Sequence, residues 1–345
     1  MDRILKGTNT LSALFLLMLA LTISLNGNAQ KFSFVTKGIN RVQLGETYRY
    51  SFLAVDSSVK KITYSCNKLP DWITFDKETR TILGIPKKPG QYAVHIDAAN
   101  SDTAIKQNFM LTVFNSETTN ILPLGNSITN GTDQYNSYRR YLWQMLNKAN
   151  YNFDFIGSWD KQHMGASFPN PDFDLDHDGH SGWTAYHILE PPEWDSVRGN
   201  LNEWLEEYKP DIVLMELGTN EVFQCVNPSK AIEDFSVIVD KLRTKNSSVK
   251  ILIALIPPLG RRWSDKKLCG TETNYGQSVL LFNKAIQEFA KNKATVLSPI
   301  IVVDQFSGIN PDLLMYDDIH PNAEGEKIMA RRWFEALKPF LKKLN

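Results

Sequence analysis

The chain has 345 residues, 42% of them hydrophobic and 22% charged, which is enough apolar material for one large or two ordinary globular domains. Basic and acidic residues balance at 38 each, so there is no basic footprint for nucleic acid and no polybasic surface for a membrane. Trp and Tyr are plentiful, which suits a carbohydrate-handling protein and equally suits any well-packed β-sandwich.

In chain order, the first segment reads as an export signal. Arg3 and Lys6 give a basic start, Leu11 to Leu25 is an apolar run too short for a span, and Gly27-Asn28-Ala29 offers small residues at the cleavage point. Cleavage is expected after Ala29. No cysteine stands there to take a lipid, so the mature protein is expected to be secreted or periplasmic, without a membrane span and in an oxidising compartment.

Residues 30–115 carry a period of two. Tyr48 to Leu53, Lys61 to Tyr64, Tyr92 to Ile96 and Asn108 to Val113 read as short strands with Gly and Pro turns between them, the pattern of a β-sandwich. The segments Leu69-Pro70-Asp71-Trp72-Ile73, Leu83-Gly84-Ile85-Pro86 and Pro89-Gly90-Gln91-Tyr92 resemble the Ig- or cadherin-like modules of secreted bacterial proteins. That resemblance implies a fold and no activity. Trp72 is read as a core residue in preference to a sugar-stacking one. The polar stretch 116–120 reads as a linker.

Residues 121–345 alternate strands with helices. Apolar runs stand at Ile121 to Leu124, Phe153 to Gly157, Ile212 to Leu217, Lys250 to Leu255 and Ile300 to Asp304, as expected of strands covered on both faces. Amphipathic helical patterns run over Ser137 to Asn147, Trp194 to Tyr208, Ala231 to Thr244, Ser278 to Lys291 and Glu324 to Lys342. The expected fold is α/β: a doubly wound parallel sheet in an α/β/α, flavodoxin-like arrangement, preceded by the smaller all-β domain.

Chemistry-bearing residues fall at the strand ends. Gly125-Asn126-Ser127 follows the first strand and could be an ordinary turn. A serine at the carboxyl edge of a parallel sheet can also be a nucleophile if a base reaches it. Gly182 lies in Asp178-Gly179-His180-Ser181-Gly182-Trp183-Thr184, Asn220 in Gly218-Thr219-Asn220-Glu221, and Asp317 and His320 in Asp317-Asp318-Ile319-His320-Pro321-Asn322.

Serine, glycine, asparagine and histidine in that order, each after a strand or before the last helix, resemble the SGNH, or GDSL-like, hydrolase superfamily. The wording of the motifs is closer still to secreted acetylxylan esterases of carbohydrate esterase family 3. The resemblance implies a catalytic set of Ser127, Asp317 and His320. It implies an oxyanion hole of the Ser127 and Gly182 backbone N–H groups with the Asn220 amide. Gly179 competes for the glycine role and Asp318 for the carboxylate role. Two residues depart from the family pattern: Asn126 stands where Asp is usual, and Glu221 replaces the Asp after Asn220. Neither departure removes a reacting group; both bear on how the site loops are braced.

The implied function is removal of acetyl groups from plant polysaccharide or oligosaccharide, with no cofactor and no metal. The alternatives are another esterase, lipase or thioesterase of this fold, or a glycan-binding protein on a degenerate hydrolase scaffold. Asp174 to Gly179 matches half of a calcium loop, but Ala185 stands where the closing Glu would be, so a solvated acidic loop at the rim of the site is the preferred reading. His163, His177, His180 and His187 lack a zinc-protease spacing. Of the three cysteines, Cys66 lies in the β domain, and Cys225 and Cys269 are expected to pair.

Overall fold

A computed structural model describes residues 32–344 except 133, 163–164 and 268–271. The expected export signal and its cleavage point therefore lie outside the described residues. The chain divides into two compact units. The smaller runs to Lys88 and from Tyr92 to Leu111; the larger comprises Pro89–Gln91 and Thr112–Asn345.

The smaller unit is all antiparallel β. Its strands are β1 (Phe32–Phe34), β2 (Arg41–Gln43), β3 (Tyr48–Ser51), β4 (Ala54–Asp56), β5 (Thr63–Cys66), β6 (Ile73–Asp76), β7 (Thr81–Gly84), β8 (Gly90–Ala99) and β9 (Ala104–Phe114). They form a four-stranded sheet β2-β9-β8-β5, a three-stranded sheet β3-β7-β6 and a ribbon β1-β4. Alternate side chains are buried, as in β3, where Tyr48 and Tyr50 point inward and Arg49 and Ser51 outward. Tyr50 meets Phe109 edge-on, and Trp72 meets both Tyr48 and Tyr92 edge-on, so aromatic rings join the two sheets. Trp72 is half-buried and packs on these rings. Cys66 is a free thiol, and burial pushes its pKa up to about 12.

The larger unit is built on β10 (Thr119–Gly125), β11 (Phe153–Phe155), β12 (Asp178–Gly179), β13 (Ile212–Glu216), β14 (Lys250–Ala254) and β15 (Ile300–Val303). The order is β11-β10-β13-β14-β15, with the two-residue β12 added beyond the end of β11 on β10. The strand pairs on this path are parallel. The helices are α1 (Ser127–Asn130), α2 (Tyr138–Lys148), α3 (Ala185–Leu189), α4 (Leu201–Glu207), α5 (Thr219–Phe223), α6 (Pro228–Lys245), α7 (Arg261–Ser264), α8 (Tyr275–Lys293), α9 (Pro311–Leu314) and α10 (Ala323–Leu337).

Strand alternation divides the apolar runs between two cores. Leu122, Leu124, Val213, Met215, Ile251 and Ile253 pack with α3, α4, α6 and α8. Ile121, Ile212, Leu214, Leu252 and Ala254 pack with α2 and α10 on the other face. This is the doubly wound α/β/α fold expected, and the order reverses at β10. The carboxyl ends of β10 and β13 thus flank the crevice where such sheets bind ligands.

Three local expectations need correction. The helix expected over Trp194 to Tyr208 is a 3-10 turn, Glu193–Arg198, followed by α4. Gly199 breaks it with φ 71°, and Asn200 starts α4 by accepting the N–H groups of Asn202 and Glu203. The last helix stops at Leu337, five residues short of Lys342, because Pro339 has no N–H and a 3-10 turn takes over. The acidic stretch is not solvated: Asp174, Asp176, His177, Asp178 and His180 are buried, since β12 docks on the end of β10 and draws them inward.

Cys225 is disulfide-bonded, whereas Cys269 lies outside the described residues. Among the described residues no helix is long and apolar enough to cross a membrane.

Candidate active site

The site begins where β10 ends. Only glycine fits at 125, since a Cβ there would lie 2.5 Å from the Glu216 carbonyl oxygen and 2.4 Å from Thr129 Oγ1. That close approach lets the Asn126 N–H donate to the Glu216 carbonyl at 3.3 Å. Asn126 then caps α1, its Oδ1 accepting the Ile128 N–H at 2.8 Å. Ser127 is consequently the first residue of a one-turn helix. Below it, buried Arg139 donates to the carbonyls of Thr129, Asn130 and Leu175, and burial draws its pKa down to about 10. Tyr138 reaches Thr129 through its hydroxyl.

His320 arrives from the other end of the chain, just ahead of α10. Its loop is closed by the Tyr316 N–H to His320 carbonyl bond at 3.0 Å and the Asn322 N–H to Leu314 carbonyl bond at 2.8 Å. Asn322 caps α10. His320 Nε2 lies 2.8 Å from Ser127 Oγ, and Nδ1 lies 2.7 Å from Asp317 Oδ2. Asp317 Oδ1 accepts the N–H groups of His320 and Ile319. Burial alone would raise the Asp317 pKa, but these hydrogen bonds and the imidazole charge outweigh it and hold the carboxyl at about 2. With Nδ1–H donating to this carboxylate, Nε2 presents its lone pair to the serine hydroxyl. Tyr316 stacks on the imidazole, with ring centroids 5.8 Å apart.

Ser127, His320, Gly182 and Asn220 line one cavity of ≈ 670 Å³. Gly182 takes φ 81°, a left-handed conformation that favours glycine. Asn220 Nδ2 donates to the Trp183 carbonyl at 2.7 Å, which orients its amide; the second amide proton is available to a ligand. Asp317 stands behind His320. Of the two rivals, Gly179 is buried in the β10–β12 pair, where a Cβ would meet the Asn130 nitrogen at 2.6 Å. Asp318 sits at φ 69° with its side chain against Gly260.

The two departures from the expected family pattern acquire a structural setting. Glu216, the last residue of β13, is buried, and burial with the nearby Glu221 charge pushes its pKa up to about 8. The Asn126 Nδ2 faces it, but the two do not close a hydrogen bond of ordinary geometry. Glu221 accepts the Ala185 N–H at 2.7 Å, and burial raises its pKa to about 7. Sequence reasoning did not mark Glu216. The available signal was a lone carboxylate inside the run Ile212-Val213-Leu214-Met215-Glu216-Leu217.

His177, His180 and His187 belong to the scaffold. His177 accepts the Gly179 N–H at Nδ1 and donates through Nε2 to the Lys161 carbonyl, and burial holds its pKa well below the usual range. His180 stacks on Trp183 at 4.3 Å and on Trp204 at 5.0 Å, while its N–H binds the Gly125 carbonyl. His187 completes the capping box of α3, and His163 lies outside the described residues. Among the described residues no cluster of three or more His, Cys, Asp or Glu could hold a metal ion.

Comparison with known proteins gives the family of each unit. The model of the GDSL-like Lipase/Acylhydrolase family matches residues 124–328, and that of the Ig-domain family He_PIG matches residues 21–114. A multidomain esterase of Ruminococcus flavefaciens is 28% identical over 236 residues, or 65% of this chain. The chain spans only 29% of that relative's length. The crystal structure of a carbohydrate esterase family 3 protein from Talaromyces cellulolyticus is 30% identical, with a TM-score of 0.52 over 64% of this chain and 97% of the other. An acetyl esterase variant with acetate ion matches with the same identity, coverage and TM-score.

Proposed function

The chain belongs to the GDSL-like lipase/acylhydrolase family, whose ester-hydrolase fold its larger unit carries, and we propose that it is a secreted serine esterase that removes acetyl groups from plant polysaccharide, acetylated xylan first. The observation that carries this reading is the unbroken hydrogen-bond chain from Ser127 through His320 to Asp317 at the wall of an open cavity. Its acetyl and carbohydrate character is supported by the likeness to an acetyl esterase and to a family 3 carbohydrate esterase.

In this mechanism Ser127 Oγ attacks the acetyl carbonyl carbon as His320 Nε2 takes the hydroxyl proton. The Ser127 and Gly182 backbone N–H groups and the Asn220 amide stabilise the tetrahedral oxyanion. Asp317 stabilises the imidazolium and holds its tautomer. The carbon–oxygen bond to the sugar breaks, His320 returns the proton to that oxygen, and the sugar alcohol leaves an acetyl-serine. Water then attacks the acetyl carbonyl with His320 again as base. Acetate departs, and the proton returns to Ser127 Oγ.

On this reading residues 1–29 are the export signal, 30–115 the Ig-like module, 116–120 the linker and 121–345 the catalytic domain. The test is acetate release from acetylated xylan by the wild type and by Ser127→Ala, beside hydrolysis of p-nitrophenyl esters of increasing chain length. Expected are acetate release that vanishes in the variant and a steep preference for the acetyl ester. A preference for long acyl chains, or turnover that survives in Ser127→Ala, would overturn it.

A further inference from the structure

The cavity is much larger than an acetyl group, and its wall holds large side chains that the chemistry above does not use, Trp194 and Phe223 among them. Trp194 is 63% exposed, yet it lines the same cavity as Ser127 and His320. Its indole Cη2 lies over Gly182, 3.6 Å from where a Cβ would stand. An exposed tryptophan on its own calls for no explanation. This one stands on a turn tied down at several points.

The next residue, Asp195, accepts the Nε1–H of buried Trp183 at 3.2 Å and pairs with Arg198 at 3.0 Å. The Arg198 guanidinium lies over the Trp159 ring, and the Arg198 carbonyl accepts the Trp204 Nε1–H at 2.7 Å. Pro191 and Pro192 lead into the turn and limit its backbone freedom. Trp183 also holds Asn220 through its carbonyl. One buried residue therefore reaches both the candidate oxyanion donor, through its backbone carbonyl, and the turn that presents Trp194, through its indole.

We infer that Trp194 is a stacking platform for a pyranose ring of the substrate, on the alcohol side of the scissile ester; this rests on the acetyl esterase reading above. An acetyl group ends one carbon beyond its carbonyl, so whatever reaches an indole at the cavity wall belongs to the alcohol. A pyranose presents a face of C–H groups, which suits the flat, apolar and polarisable indole. A platform whose supporting turn is already tied down loses less conformational entropy on binding.

The test compares kcat/KM of the wild type, Trp194→Ala and Trp194→Phe on an acetylated xylo-oligosaccharide, methyl acetate and methyl octanoate. Each value for the oligosaccharide is divided by that for methyl acetate, so a general loss of folding or chemistry cancels. Trp194→Ala is expected to lower this ratio about tenfold, equivalent to about 1.4 kcal/mol. Most of the loss should fall in KM, and Trp194→Phe should restore most of the ratio. An unchanged ratio in Trp194→Ala would overturn the proposal. So would a loss confined to methyl octanoate, which would make Trp194 part of an acyl-chain site. A wild type that hydrolyses methyl acetate but not the acetylated oligosaccharide would overturn the acetyl esterase reading itself, and the platform with it, before any variant is compared.

Discussion

Replacing Asp317 by Asn separates the electrostatics of the site from its stability. The amide retains an oxygen for the backbone N–H groups of Ile319 and His320. Its nitrogen, however, replaces the acceptor 2.7 Å from His320 Nδ1 with a donor. The imidazole must then accept at Nδ1 and carry its proton on Nε2, which points at Ser127 Oγ and can no longer take the serine proton. Comparable changes in serine proteases cost about 10⁴ in turnover, or about 5 kcal/mol of transition-state stabilisation. The stability cost is much smaller. Holding Asp317 near 2 instead of 3.8 corresponds nominally to about 2 kcal/mol. The side chain is 35% exposed, so solvent screening reduces this to roughly 1 kcal/mol. Because the folded pKa is depressed, that contribution is complete above about pH 4 and is lost only as pH falls through about 2. Asp317→Asn should therefore be folded at neutral pH and slower by two to four orders of magnitude on p-nitrophenyl acetate. Asp318→Asn, whose side chain faces Gly260, should lose less than about tenfold. If Asp318→Asn proves the slower of the two while both melt within a few degrees of wild type, the assignment of Asp317 is wrong.

Other measurements probe the surroundings. Asn220→Ala should lower kcat by about 10²–10³ with little change in KM, as expected for loss of one oxyanion donor; an unchanged kcat would remove Asn220 from that role. Glu216, Glu221 and Glu326 all have pKa values raised by burial, to about 8, 7 and 8 respectively. A raised folded pKa favours the native state below the unfolded value and loses that advantage as pH rises through the folded value, so Tm should fall between about pH 5 and about pH 8. The Glu216 shift is worth at most about 5 kcal/mol, and Glu216→Gln should flatten the slope; a slope identical to wild type would show that Glu216 is not among its causes. Residues 118–345 expressed alone are expected to hydrolyse a soluble acetate ester, and a fragment folded by circular dichroism yet inactive would assign the β unit a part in the site. Peptide mapping without reductant should recover Cys225 linked to Cys269, and free thiols at both would refute the pairing.

Much of the fold was legible because its strands are covered on both faces. Ile212 to Leu217 and Lys250 to Leu255 read as strands from apolar runs alone, and the strands observed end within a residue of those runs. Site candidates were legible for a related reason. A parallel sheet sends each strand's carboxyl end to one edge, so Ser127 and Asn220 had to lie near each other once both strands were in the sheet. What stayed hidden depends on contacts remote in sequence. β12 is only two residues long, too short to show a period. The burial of Asp174 and Asp176 takes place around Arg139, which comes from α2, and a run of acids looks solvated until that partner is known.

Trp183 marks the boundary between the two kinds of information. In His180-Ser181-Gly182-Trp183 the motif draws attention to Gly182, whose backbone can approach a ligand, and leaves the tryptophan as a spacer. In the fold the tryptophan is the connector. Its carbonyl takes the Asn220 amide from the first turn of α5, and its Nε1–H reaches Asp195 on the turn that carries Trp194. Its ring stacks on His180, whose N–H holds the Gly125 carbonyl just before the serine. A substitution such as Trp183→Phe keeps the ring in the core but removes the Nε1–H donor. It should therefore leave Asn220 in place, free the Trp194 turn, and lower the oligosaccharide-to-methyl-acetate ratio as Trp194→Ala does. Loss of methyl acetate hydrolysis in the same proportion would instead mean that the ring, and not its Nε1–H, sets the geometry of the site.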